Sequence, residues 1–267
     1  MASSFLSSFR HSALIYRLAE RDITLRYRGS ALGLVWSMVQ PLMMLAVYAY
    51  VFGIIFQVRW PDRLHSDGEV SFAIILFSGL IIHALFSECF TRAPTLIVQN
   101  ANYVKKVIFP IEALPITVLV SALFHFIVAL VVLIVAHLAL GGTIGPTTLL
   151  LPIVVAPLLL MTLGISWVLA SVGVFLRDIA QLTSVISTVL LFMSPIFFPV
   201  EKMPDGVRGL IYLNPLSLIV DEVRNVLLFS SMPNWLNLGA YSVVALIVAQ
   251  LGFFWFQRTR RGFGDVL

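Results

Sequence analysis

TLRYRGSALGLVWSMVQPLMMLAVYAYVFGIIF, Thr24 to Phe56, opens with Arg26 and Arg28, crosses a Gly-Ser-Ala joint and then runs to Phe56 without a charged side chain. Crossing about 30 Å of hydrocarbon takes roughly 20 apolar residues, so this run reads as a membrane span with length to spare for tilt or a bend. Pro41 supplies the bend, because its ring denies the helix one backbone N–H. Gln40 beside it carries an amide that is costly to bury against lipid, which directs that side of the span toward protein or water.

The rest of the chain repeats this chemistry. Hydrophobic residues make up 60% of the 267 positions and charged residues 11%, far from the balance of a soluble domain. Mean hydropathy is +0.99, which leaves no room for a sizeable soluble part. The sequence therefore predicts an all-α, polytopic membrane protein forming a single domain over 1–267. One cysteine, Cys89, excludes an intrachain disulfide, and the five histidines show no metal-ligand spacing, so no metal is expected. The first apolar run is too long for a signal-peptide core and begins after about thirty residues, so the N-terminus is expected to stay.

Residues 1–30 contain a helix that precedes the membrane. At about 100° per residue, Phe5, Phe9, Tyr16, Ile23 and Tyr27 share one face, and Arg10, Arg17, Arg21 and Arg28 form a row roughly a third of a turn away. This pattern predicts an amphipathic interface helix whose aromatic face enters the bilayer and whose arginines meet lipid phosphate or a partner protein.

Six spans are predicted, over 34–57, 72–90, 116–140, 148–176, 179–198 and 238–256. The second carries His83 and Glu88, both costly in lipid unless paired; for His83, a hydrogen bond between helices is favoured over proton relay. Residues 91–115, with Arg92, Lys105, Lys106 and the cluster Gln99-Asn100-Ala101-Asn102, are predicted as a loop too polar to span. The fourth span is interrupted by Pro152 and Pro157. Residues 199–237 hold two short apolar runs, 207–213 and 216–229, the second bearing Asp221, Glu222 and Arg224, which suit re-entrant or surface-lying helices. Twelve lysines and arginines fall in the segments on one side and five on the other, which places both termini in the cytoplasm and 199–237 outside it.

No phosphate-binding loop, H-E-x-x-H or G-x-S-x-G motif occurs, so the chain is not expected to be an enzyme. Nor do the spans carry the carboxylate series and paired broken helices of an ion-coupled carrier. An external energy source is required.

RYRGSALGLVWSMVQPLMMLAVYAYVFG, NANYVKKVIFPIEALP, VFLRDIAQL, MSPIFFPVEKMP and LNPLSLIVDEVRNVLL, in that order, resemble the type-2 ABC exporter permeases of polysaccharide and polyol-phosphate export, nearly end to end. The resemblance implies a homodimer working with two copies of a separate ABC ATPase, which alone holds ATP and Mg. The implied cargo is a lipid-linked polysaccharide of O-antigen or capsule type, moved from the cytoplasmic side across the cell inner membrane. No cofactor in this chain and no nucleic acid are implied. It also assigns 91–115 as the coupling loop; within it Asn100, Asn102 and Tyr103 offer hydrogen-bonding groups for the ATPase contact, and Lys105 and Lys106 are suited to acidic groups or anionic lipid. Two alternatives remain at this stage: a permease of this architecture for a small drug or lipid, and a secondary carrier. Aromatic spacing adds a candidate substrate path: Tyr48, Phe52 and Phe56 recur every fourth residue in the first span, and Trp167 and Phe175 lie eight apart in the fourth. Sugar C–H faces pack on such rings without fixed hydrogen bonds.

Overall fold

The computed structural model describes residues 11–56, 71–104, 109–198, 209, 211 and 214–267. Arg10, Lys105, Lys106, nearly all of the loop after the first span and most of 207–213 lie outside the described residues. Those described are helical or irregular, with no strand among them. In chain order the helices are α1 (Ser12–Tyr27), α2 (Trp36–Tyr48), α3 (Phe72–Gln99), α4 (Ala101–Val104), α5 (Ala113–Ala139), α6 (Leu151–Phe175), α7 (Ile179–Phe192), α8 (Ser217–Leu227), α9 (Trp235–Thr259) and α10 (Phe263–Val266).

Five helical stretches are long and apolar enough to cross a membrane: Gly33–Ile55, Phe72–Gln99, Ala113–Ala139, Pro146–Phe175 and Trp235–Val266. The region expected as a fifth span over 179–198 contains the 14-residue α7 followed by turns. At about 1.5 Å per residue, α7 alone reaches roughly 21 Å, short of the hydrocarbon thickness.

α3 is the central element, in contact with α2, α5, α6, α7 and α8. It is buried along most of its length, from Phe72 to Ile97, because apolar residues occupy nearly every face. The sequence ends this span at Phe90, whereas the helix continues to Gln99 through Pro94. The reason is electrostatic: Arg92, whose charge argues for a loop, is paired inside the fold and need not leave the helix. Pro115 likewise falls in the first turn of α5, where its missing N–H costs little, so the third span begins at Ala113. Pro157 lies inside an unbroken α6.

α6 meets α9 at close backbone distance. A Cβ on Gly164 would stand 2.7 Å from the Ala249 Cα, and Gly252 faces Gly164 across the contact. Small residues permit this approach, which is how membrane helices gain packing energy where lipid is as apolar as leucine. Gly173 of α6 abuts the Pro94 backbone of α3 in the same manner.

The first span is built differently. Positive φ at Gly29 (84°) and Gly33 (52°) makes the joint between α1 and α2. Beyond it α2 contains Pro41, and the chain loosens into a π-helix over Ala49–Ile55. Only Ser37 and Leu45 of α2 are buried.

α8 lies within the expected re-entrant region and packs on α3 and α6. Arg224 lies at its heart, 2% exposed. Its guanidinium donates to Pro195 O (2.6 Å), Ile75 O (3.1 Å) and Ile196 O (3.1 Å), with Ser78 Oγ at 3.4 Å. The turns after α7 leave carbonyls without helical partners, and arginine supplies enough donors in one plane to satisfy several. Burial lowers its pKa to about 10, against the pull of Asp221, so it remains charged at neutral pH.

Candidate functional site

Two charged i,i+4 pairs interlock where α1 crosses α3 and α5: Asp22 and Arg26 on α1, Glu88 and Arg92 on α3. Arg92 donates to both Asp22 oxygens at 2.7 and 3.0 Å and to Glu88 Oε1 at 3.1 Å. Arg26 closes the square on Glu88 Oε1, and His125 Nδ1 of α5 lies 3.3 Å from Glu88 Oε2. Burial pushes the Asp22 carboxyl up, but the bonds and charge of Arg92, with the charge of Arg26, outweigh it and hold Asp22 below its ordinary value. The side chain of Glu88 is only 17% exposed, so three bases share a largely desolvated carboxylate. Such a junction fixes three helices relative to one another.

Sequence reasoning missed Asp22, Arg26 and His125, and noted Glu88 only as costly. The i,i+4 spacing within both pairs was the available signal. Of the arginine row, Arg17, Arg21 and Arg28 are exposed, while α1 turns Ile15 and Ala19 inward and packs on α5. Tyr16 is 67% exposed. Arg21 Nη1 donates to Tyr103 Oη at 2.9 Å, and the Tyr103 ring stacks on Phe109 with centroids 4.4 Å apart. α1 is thus tied to the segment expected to couple. Asn100 Nδ2 bonds its own helix at Leu96 O (2.8 Å), and Asn102 is exposed.

The aromatic path residues separate into two groups. Tyr48, Phe52 and Phe56 form a ladder with centroid spacings of 6.4 and 6.0 Å, and Phe52 also meets Phe72. Phe56 and Phe175 are exposed. Trp167 is fully buried against Phe253, its Nε1 donating to Glu112 O at 3.1 Å. Glu112 also accepts from Arg260 at 2.7 Å, tying the start of α5 to the end of α9. His83 Nε2 is 3.0 Å from Ser187 O of α7, the interhelical bond expected of it.

Beneath α2 lies a half-open cavity of about 310 Å³. Arg26, Ser37, Glu88 and His125 stand at one end, and Met44, Phe77, Ile81 and Phe126 line the remainder, with Gln40, Tyr48 and His83 along the walls.

The sequence profile of the ABC-2 type transporter family matches residues 13–228. The chain belongs to this family. As an ABC-2 type transporter chain, it is 26% identical over 259 residues to the O-antigen export system permease protein of Myxococcus xanthus, covering 96% of both chains. The O-antigen export system permease protein of Klebsiella pneumoniae is 22% identical over 255 residues, 95% of each chain. The polysialic acid transport protein of Escherichia coli is 24% identical over 237 residues, 87% of this chain and 88% of its own. The family match spans the α1–α3–α5 junction, the cavity and the Arg224 cage alike.

Proposed function

We propose that the chain is the membrane subunit of an ATP-driven exporter that moves a lipid-linked polysaccharide of O-antigen or capsule type out of the cytoplasm across the inner membrane. The observation that carries this reading is the near full-length similarity to O-antigen export permeases, 96% of both chains in the M. xanthus case. The active unit is a homodimer with two copies of a separate ATPase, which binds ATP and Mg. α7 and the turns after it make a sixth crossing, supported by the excess of basic residues in segments that six crossings place together with both termini.

Force from the ATPase enters at Asn100, Asn102 and Tyr103, continued by Lys105 and Lys106, and passes to α1 along two routes. One is Tyr103 to Arg21; the other runs up α3 to Arg92 and Asp22. Arg10, Arg17 and Arg28 of the interface helix are left to lipid phosphate or the ATPase. The polysaccharide passes along the ladder Tyr48, Phe52 and Phe56 and over Phe175, whereas the burial of Trp167 supports a packing role. The test is ATP hydrolysis by the purified permease–ATPase complex. Stimulation by lipid-linked glycan and not by small amphiphilic drugs is expected; the reverse preference would return the reading to a drug or lipid permease.

A further inference from the structure

The cavity beneath α2 has a polarity gradient. α2 and α3 are antiparallel, with Phe52 against Phe72 at 5.6 Å, so Ser37 lies near the level of Glu88 and Tyr48 near that of Phe77. Each of these steps is about 16 Å along a helix. The charged end is where the chain enters from α1, and the apolar end is the deeper one. A volume of 310 Å³ is that of about ten water molecules in the liquid, more than is needed to bridge the polar groups. Much of the wall is hydrocarbon, against which water gains nothing.

The charges at the mouth are balanced. Arg26 and Glu88 line it as a pair, and Arg92, which also meets Glu88, is offset by Asp22, so a purely anionic ligand finds no net attraction. Arg26 directs Nη2 to Glu88, and His125 Nδ1 lies 3.3 Å from both Arg26 Nη1 and Glu88 Oε2, so it accepts from the first or donates to the second and leaves the other with capacity; among the described residues the Arg26 Nε–H has no bond. The mouth therefore presents a donor for an anion beside an acceptor for a cation, with the Gln40 amide and Ser37 hydroxyl next to them.

We propose that this cavity holds one phospholipid of the adjoining leaflet, with a zwitterionic headgroup bearing an ammonium. Its phosphate meets Arg26 and Gln40, its ammonium meets Glu88, and one acyl chain lies along Met44, Ile81 and Phe126. Bound there, the lipid fills the space between the loosely packed first span and α3. The inference needs only that the chain crosses a membrane; it does not depend on the identity of the cargo.

The experiment is native mass spectrometry of the intact permease–ATPase complex after delipidation and incubation with phosphatidylethanolamine, phosphatidylglycerol or inorganic phosphate. Wild type is expected to retain about one phosphatidylethanolamine per permease chain, with phosphatidylglycerol held about tenfold more weakly and inorganic phosphate failing to displace the lipid. Ala129→Phe, which fills the apolar wall, should lower retention about tenfold while the complex keeps its ATPase. Should that variant not accumulate, Met44→Trp, at a position exposed in α2, carries the same expectation. Equal retention in the filled variant, equal retention of the two lipids, or displacement by inorganic phosphate would each overturn the proposal. Glycan-stimulated ATP hydrolysis by wild type is read separately and bears only on the cargo.

Discussion

Replacing Glu88 by glutamine removes the one charge shared by Arg26, Arg92 and His125. An exposed ion pair contributes about 0–1 kcal/mol, and breaking a fully buried one costs about 3–5 kcal/mol. This junction lies between those limits, with Glu88 17% exposed, Arg92 32% and Arg26 37%. Arg92 keeps Asp22 as a partner, and Arg26 rehydrates in part, so the loss comes to about 2 kcal/mol. For a chain of this size that corresponds to a fall in Tm of about 4–8 °C, measured on the detergent-solubilised permease. Arg28→Gln, at an exposed position just past the end of α1, should shift stability by less than about 0.5 kcal/mol. In a double-mutant cycle, Arg26→Gln with Glu88→Gln should cost less than the two single changes together, by about 1–2 kcal/mol. Equal shifts for Glu88→Gln and Arg28→Gln, or strict additivity in the cycle, would refute the junction as a stabilising unit.

Because Asp22 is held below its ordinary value of 3.8, its contribution is fully present above that pH and is lost as pH falls through the depressed value. Thermal stability should therefore be insensitive to this group from about pH 5 to 8, and Asp22→Asn should flatten the acid limb of the profile; an unchanged limb contradicts the pairing. Arg224→Met leaves the Pro195, Ile75 and Ile196 carbonyls without their donor and should abolish accumulation of folded permease, with Arg224→Lys intermediate; normal accumulation of the methionine variant contradicts the cage. Gly164→Val drives a side chain into the Ala249 backbone and should prevent folding, whereas Gly239→Ala, with nothing within 4 Å, should be neutral or stabilising by about 0.5–1 kcal/mol in a thermal melt. Tyr103→Phe removes the bond from Arg21, so the ATPase should still co-purify while export per ATP hydrolysed falls; unchanged coupling would move the transmission route wholly to Arg92 and Asp22.

The helical architecture was legible because a long apolar run has few alternatives: the stretch from Gly33 to Ile55 shows itself by length alone. At residue 91 the sequence shows Arg92 only as a lone charge, which argues for a loop where the helix continues. Its partner Asp22 lies 70 positions away, and periodicity within one helix carries no information about a pair formed between two. The same limit hid His125, whose role exists only once α5 is set beside α3. The interhelical bond of His83 is legible in sequence because an imidazole in a span requires a neighbour whatever the topology. Trp167 shows the converse. An aromatic spaced eight residues from Phe175 looks like a shared stripe, but the close α6–α9 contact at Gly164 brings Phe253 over its ring, and spacing alone does not reveal that crossing. The two interlocking i,i+4 pairs, Asp22–Arg26 and Glu88–Arg92, were the one trace of the junction that sequence carried.

ATP-driven export is read most plainly as transport by the permease reconstituted with its ATPase in proteoliposomes. Lipid-linked polysaccharide is supplied on the ATPase side, and its arrival in a compartment protected from added glycosidase is followed with and without ATP. ATP-dependent protection is expected, reduced more by Glu88→Gln than by Arg28→Gln in complexes of equal ATPase content. Protection that needs an ion gradient and no ATP, or ATP-driven movement of a small drug with none of the glycan, would contradict it.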